Sequence, residues 1–386
     1  MPEIPFPKFL RSELPLALFA GAGIWLFGIF VKFPQGLLTT SHFPRLEDYL
    51  KLCANPFARD VNPILAYRIS VPVLAWLLQL PPIICISLPI LFLIGSYAVV
   101  FHVISKRTGD KRFALLIVAG LSLTFFAVWT NRWLGYPDSF SHLFSALALV
   151  SSNPFLLALC CIIGTLNDER WLMSVPFLLY WHGSDQAKAG ILNWKNATRA
   201  GTGITAGIVS VLVVRHALTV GWLGPGIVDS YSTKIISPGR LSPYNSTWAL
   251  FAFNVLMGLG YYWLAVVRLV TRQLSSAAPI WGYFLGLSIF ITCFSTALDE
   301  DVSRSIGFLF LVIVAASVYD YDTAPASARN WWRILLLAAA VTPTIYYTGF
   351  SGAVFVPFPI DLINHLIHKY TGEDLLQSLK PWFRLH

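Results

Sequence analysis

Residues 82–104 read PIICISLPILFLIGSYAVVFHVI, and the basic stretch KRTGDKR follows them at residues 106–112. A helix of about 20 apolar residues crosses the hydrocarbon core of a bilayer, so the first stretch predicts a membrane-spanning helix. Lysine and arginine beside such helices favour the cytoplasmic side. Together the two stretches predict one span and its direction, with residues 106–112 inside the cell.

The whole chain shares this apolar character. Of its 386 residues, 56% are hydrophobic and 12% are charged, whereas a soluble domain carries about 25% charged residues. The composition predicts an all-α polytopic membrane protein in which residues 1–386 form a single transmembrane domain. The length rule gives about eleven candidate spans, at residues 15–31, 82–104, 113–131, 139–152, 154–166, 171–181, 203–222, 247–267, 277–297, 304–320 and 334–350.

Net charge and cysteine spacing argue against two other classes of protein. The net charge is +8, but the basic residues are scattered between apolar segments, which favours anionic lipid headgroups over nucleic acid as partners. The five cysteines show no CxxC or Cys/His spacing, so neither a zinc site nor a disulfide framework is indicated.

Alternating the spans outward from residues 106–112 assigns the remaining loops to sides. Residues 32–81 become a large first outer loop with helices lying on the membrane surface, and residues 223–246 become a later outer loop. Residues 351–386 are expected to form an interfacial segment. Lysine and arginine divide evenly between the two sides, so the predicted orientation depends on the cluster at 106–112.

Carboxylates gather in the loops of the predicted outer side, and each such stretch also holds an arginine. A desolvated, unpaired charge costs on the order of several kcal/mol at a membrane. We therefore expect the loops to share one outer cavity. Its candidate residues are Glu47, Asp48, Arg68, Asp138, His142, Asp168, Glu169, Asp301 and Arg304.

Several of these residues also have a structural interpretation. Asp48 and Asp138 could cap helices, and Arg68 could extend from a surface helix to the headgroups. His142 follows Asp138 by four residues, so a helix would place both on one face. The functional interpretation is an outer-loop carboxylate that acts as a general base and an arginine that binds a phosphate.

The stretch at residues 167–170, Asn-Asp-Glu-Arg, is open to the same two interpretations. It could be a polar turn between two short helices, or it could direct one carboxylate into the cavity. Asp301 and Arg304 are three residues apart, which suits either an ion pair at a helix start or an arginine that faces a phosphate.

The order of these stretches resembles the GT-C superfamily of polytopic membrane glycosyltransferases. The matching stretches are LEDYLKL (46–52), NPILAYRISVPVLAWLL (62–78), GYPDSFSHLFSALAL (135–149), GTLNDERWLMSVPFLL (164–179) and DEDVSRSIGFLFLVI (299–313). The resemblance implies a bundle of spanning helices with a large first outer loop. It also implies a polyprenyl-phosphate sugar donor and transfer on the outer face of a bacterial inner (plasma) membrane.

Carried onto this sequence, the resemblance implies roles for the candidate residues. The base would be Asp48 or Glu47, an acidic residue of the first outer loop. The donor phosphate would meet Arg68 or Arg304. Substrate-binding residues would include Asp138, His142, Asp168, Glu169 and Asp301, with Asp138 and Glu169 binding acceptor hydroxyls or a divalent cation such as Mg or Mn. The chain departs from the family in lacking an Asp-x-Asp or Glu-x-Asp motif in the first loop.

Two other classes of function remain open. A transporter or flippase would place ionisable residues near the bilayer midplane and show internal repeats. Arg215, beside His216, is the best candidate for a midplane charge, and no convincing repeat is found. Polar residues otherwise lie at span ends, which favours surface chemistry over passage. In the third class, a non-catalytic membrane subunit, the carboxylates would only solvate loops.

Overall fold

A computed structural model describes twelve stretches of the chain. They are residues 13–34, 43–58, 60–61, 63–127, 138–185, 191–223, 248–276, 279–297, 305–342, 344–348, 351–356 and 358–372. The candidate residues Asp301 and Arg304 and the loop at 224–246 lie outside the described residues, as does the chain after residue 372.

Helices dominate the described part of the chain. The first eight are α1 (Leu14–Val31), α2 (Phe43–Ala54), α3 (Pro63–Ala66), α4 (Ser70–Leu77), α5 (Pro82–Thr108), α6 (Lys111–Leu121), α7 (Asp138–Leu147) and α8 (Pro154–Asn167). The later ones are α9 (Val175–Gly183), α10 (Trp194–Thr219), α11 (Trp248–Leu259), α12 (Trp263–Leu274), α13 (Ile280–Ala297), α14 (Phe310–Thr323), α15 (Pro325–Val341) and α16 (Phe358–Thr371). Short 3-10 helices span Glu169–Ser174, Gly260–Tyr262 and Gly307–Leu309.

Four of the described helices are long and apolar enough to cross a membrane. They are α1, α5, α10 and the continuous stretch Phe251–Leu274, which comprises most of α11 and all of α12. Two further apolar helical stretches are shorter, namely α8 and residues Ile280–Phe294 of α13. The protein is therefore predominantly helical and has the helices expected of a membrane protein.

The predicted span at 334–350 is wrong in its second half. Helix α15 ends at Val341, and β4 (Thr344–Thr348) pairs antiparallel with β5 (Ser351–Val356). A third strand, β1 (Phe33–Pro34), pairs antiparallel with β5 through Phe33 and Val356. A proline at 343 disfavours continuation of the helix, and the β-branched and aromatic run Thr-Ile-Tyr-Tyr-Thr favours a strand.

Helix α14 lies at the centre of the bundle. Its residues 310–320 are all buried, and it packs against α5, α9, α12 and α15. A helix that is apolar on all sides has no solvent face, so it belongs in the core. Of the shorter helices, α7 packs against the long helix α5, and α8 and α9 pack against the long helix α10.

A proline inside α5 creates a docking point for the first loop. Pro89 has no N–H, so the carbonyl oxygen of Cys85, one turn earlier, has no helical donor. The buried hydroxyl of Tyr49 on α2 donates to that oxygen at 3.1 Å. The hydroxyl of Ser139 on α7 donates to the Pro89 carbonyl oxygen at 2.6 Å. Both contacts fix elements that surround the site described below.

Two glycines bring α10 close to α8. They are Gly203 and Gly207 in the sequence Gly-Ile-Thr-Ala-Gly, a small-xxx-small pattern that lets helices approach closely in membranes. A Cβ at Gly203 would collide with the backbone of Pro154, and one at Gly207 would lie 2.5 Å from Cys161 Cβ. This packing brings the last turns of α10 beside the end of α8.

Candidate functional site

Charged side chains from four separate segments meet at one end of the bundle. We call them the charge cluster: Arg68, Asp138, Asp168, Glu169, Arg170 and Arg215. They come from the break between α3 and α4, the first residue of α7, the turn after α8, and α10. Three guanidinium groups face three carboxylates, so the cluster is neutral when every member is ionised.

Arg68 lies at the centre of the charge cluster and is only 5% exposed. Its Nη1 atom is 3.8 Å from Asp138 Oδ1 and 3.7 Å from Asp168 Oδ2, while its Nη2 atom is 3.5 Å from Glu169 Oε1. Its Nε atom has no hydrogen-bond partner among the described residues. Arg68 is therefore enclosed by carboxylates instead of extending to headgroups from a surface helix.

Asp168 and Arg170 form a tight pair within one turn. Asp168 is fully buried and accepts from the Arg170 backbone N–H at 3.0 Å and from Arg170 Nε at 2.9 Å. Its second oxygen accepts from Arg170 Nη2, which also lies 3.5 Å from Asp138 Oδ1. This two-point arrangement fixes the guanidinium group in one orientation. The carboxylates of Asp138 and Asp168 are therefore both paired with arginines.

Glu169 is the accessible carboxylate of the charge cluster, with a side chain that is 46% exposed. Its Oε1 atom faces Arg68, and its Oε2 atom accepts from Arg215 Nη2 at 3.2 Å. Desolvation raises the pKa of Glu169, but the guanidinium groups of Arg68, Arg170 and Arg215 outweigh it and lower the pKa below its ordinary value. Glu169 is therefore ionised at neutral pH.

Arg215 completes the charge cluster from α10. Its Nη2 atom also donates to the Thr165 carbonyl oxygen at 3.4 Å, and its guanidinium group lies 5.8 Å from the Tyr67 ring centroid. The sequence suggested a midplane charge, because the predicted span ran from 203 to 222. The helix instead spans Trp194–Thr219, which places Arg215 about one turn from its end. Sequence reasoning missed its role; the spacing of Gly203 and Gly207 is a signal of close helix packing along α10, but it does not identify α8 as the partner.

Neutral side chains hold α7 beside α8. Asn167 Nδ2 donates to Ser141 Oγ at 2.8 Å, and Ser141 Oγ donates to the Gly164 carbonyl oxygen at 2.9 Å. These bonds keep Asp138, at the start of α7, next to the turn that follows α8. The ring of His142 lies one turn further, packed against the rings of Phe126, Phe308 and Phe310.

Glu47 and Asp48, the two predicted candidates for the base, lie on α2. Glu47 is exposed and pairs with Lys51 at 3.7 Å, and Lys51 also pairs with Asp60 at 3.2 Å. Asp48 is half-buried beside the buried Tyr49. The structure therefore brings together Arg68, Asp138, Asp168 and Glu169 of the predicted site, whereas Glu47 faces a lysine on the surface.

The charge cluster does not fit a divalent cation. Within the described ranges, no group of three or more His, Cys, Asp and Glu side chains could hold a metal ion. The three carboxylates instead face guanidinium groups, which repel a cation. What the arrangement offers is one ionised, accessible carboxylate between two arginines, and arginines suit the binding of a phosphate.

The comparisons with known proteins add no further information on the activity. Neither a protein-family model, nor a curated protein, nor a solved structure matches this chain.

Proposed function

We propose that the protein is a membrane glycosyltransferase that moves a sugar from a polyprenyl-phosphate donor to a lipid, glycan or protein acceptor. The observation that carries the proposal is the accessible carboxylate of Glu169, held between Arg68 and Arg215. Sugar transfer from a phosphate needs a base for the acceptor hydroxyl and cations for the leaving phosphate. The charge cluster supplies both kinds of group.

The proposed reaction is a displacement at the anomeric carbon of the sugar. The acceptor oxygen forms a bond to that carbon, and the bond from the carbon to the phosphate oxygen breaks. The acceptor proton passes to a carboxylate oxygen of Glu169, and the electron pair of the broken bond stays on the phosphate. Arg68 and Arg215 stabilise the charge that develops there. Glu169 takes the role that the resemblance implied for Asp48 or Glu47.

Donor binding would also activate the base. In the structure, the surrounding arginines lower the pKa of Glu169, which makes it a weak proton acceptor. A phosphate that binds Arg68 and Arg215 compensates their positive charge and competes with Glu169 for their N–H groups. Loss of these interactions raises the pKa of Glu169, so its basicity increases when the donor is in place.

The proposal includes a GT-C-like fold of about eleven spans, in a bacterial inner membrane, with the charge cluster outside. The direction of α5 supports this placement. The hydroxyl of Ser139, beside Asp138, binds the Pro89 carbonyl oxygen near the start of α5, whereas the basic residues 106–112 lie at its other end. If that basic end is cytoplasmic, the charge cluster faces outward.

The test of the proposal is Glu169→Gln, with Glu47→Gln as the matched control. Purified protein in vesicles is supplied with polyprenyl-phosphate sugars and a membrane lipid extract, and new glycosides are detected by mass spectrometry. We expect Glu169→Gln to slow transfer by about a hundredfold or more, because the general base is lost. Glu47→Gln should keep the wild-type rate, since Glu47 faces Lys51.

Two results would contradict the proposal. One is transfer at the wild-type rate by Glu169→Gln. The other is the absence of any new glycosidic bond with the wild-type protein. Movement of an intact lipid-linked sugar between leaflets would then indicate a flippase, and neither activity would indicate a non-catalytic subunit.

A further inference from the structure

A second set of charged residues lies at the other end of the bundle. We call it the arginine groove: Arg268 and Arg272 on α12, Asp320 on α14, and Trp331 on α15. Asp320 is ten residues along α14 from Phe310, which packs against His142 near the charge cluster. Ten helical residues span about 15 Å. The two sets of charges are therefore separate sites.

The arginine groove carries an excess positive charge. Arg268 Nε lies 3.3 Å and Arg272 Nη1 lies 3.1 Å from the same oxygen of Asp320. The second oxygen of this buried carboxylate accepts from the Trp332 indole N–H at 3.2 Å. Two guanidinium groups thus share one carboxylate. Their side chains are 27% and 36% exposed, so an anion from outside the protein can reach them.

The surroundings of the groove are apolar and exposed. Leu264 and Val267 on α12 and Ile334 and Leu337 on α15 all present exposed side chains. Helix α12 ends a stretch of membrane-spanning length, so these exposed apolar side chains suit contact with acyl chains. The Arg268 guanidinium group lies 5.7 Å from the Trp331 ring centroid, and arginine beside tryptophan is typical of the headgroup region.

We propose that the arginine groove binds the headgroup phosphate of an anionic diacyl phospholipid, whose acyl chains lie along the exposed faces of α12 and α15. A basic pocket between helices at the membrane surface suits such a headgroup. Asp320 balances only one of the two guanidinium charges, and the phosphate supplies the second negative charge. The exposed apolar side chains on both sides of the groove favour a lipid over a soluble anion.

Native mass spectrometry of the full-length, delipidated protein in detergent tests this site, with dioleoyl phosphatidylglycerol and dioleoyl phosphatidylcholine as probes. We expect the wild type to bind phosphatidylglycerol about tenfold more tightly than phosphatidylcholine. Arg268→Gln and Arg272→Gln should each remove that preference. Each variant leaves one guanidinium group for Asp320, so no buried charge is left unpaired. Arg199→Gln, exposed on α10, is the control and should bind as the wild type does.

A variant with the opposite sign separates lipid binding from a structural role. In Asp320→Asn the amide oxygen still accepts from Trp332, but the NH2 group then faces the arginines and both guanidinium groups lose their counter-charge, so phosphatidylglycerol should bind more tightly than to the wild type. Equal binding of the two lipids, wild-type binding by both arginine variants, or displacement of the lipid by inorganic phosphate would each overturn the proposal. If Asp320→Asn does not fold, the two arginine variants decide the question.

Discussion

At the residue scale, the hydrogen bond from Tyr49 compensates for a helical bond that Pro89 removes. We expect Tyr49→Phe to lower the free energy of unfolding by about 1–3 kcal/mol, because the buried Cys85 carbonyl oxygen would lose its donor. Thermal unfolding in detergent measures this loss. Tyr370→Phe, on the exposed face of α16, is the matched control. Equal stability of Tyr49→Phe and the wild type would show that this hydrogen bond does not contribute to the free energy of unfolding.

The sequence identified most residues of the charge cluster, but it did not show which carboxylate is buried and which is exposed. Charges next to spans must be paired or hydrated, so Arg68, Asp138, Asp168 and Glu169 could be predicted as one group. Adjacent carboxylates cannot be told apart from sequence, because the turn after α8 decides which one faces solvent. That turn is a 3-10 helix, which buries Asp168 and exposes Glu169.

At the scale of elements, the fit of α10 against α8 depends on glycine. We expect Gly207→Ala to destabilise the protein by about 1–3 kcal/mol, because the added Cβ overlaps Cys161 and forces the helices apart. Gly201→Ala is the matched control on the same helix, since its Cβ would meet only Leu179 at 3.9 Å. Thermal unfolding of the two variants compares them. The packing argument fails if both variants unfold at the same temperature.

Apolar runs predicted where helices occur better than where they end. The run at 82–104 became α5, but the run at 334–350 was divided between α15 and β4. Mean hydropathy is high for an apolar segment whether lipid or protein surrounds it. It takes no account of the proline or the β-branched residues that end a helix. The α10 boundary was misjudged for a related reason, because its first turns are polar and the helix starts well before its apolar part.

At the scale of the whole molecule, the two sites lie at opposite ends of the bundle, which the proposed orientation places on opposite sides of the membrane. We expect a cysteine at residue 47 to react with a membrane-impermeant maleimide in intact cells, because Glu47 is exposed on the first loop. A cysteine at residue 111 should react only after permeabilisation, because Lys111 follows the basic end of α5. Labelling each cysteine in a Cys293→Ser background, with the Cys293→Ser protein itself as the blank, shows which side of the membrane each position faces. Both positions reacting from the same side would contradict the orientation.

The pairing of β1 with β5 has a consequence for how the bundle is made. More than 300 residues separate Phe33 from Val356 in the chain. The strand that follows α1 thus cannot pair until the intervening residues have been synthesised. The pairing of β1 with β5 is therefore a late, long-range step, which follows the packing of α1 against α5.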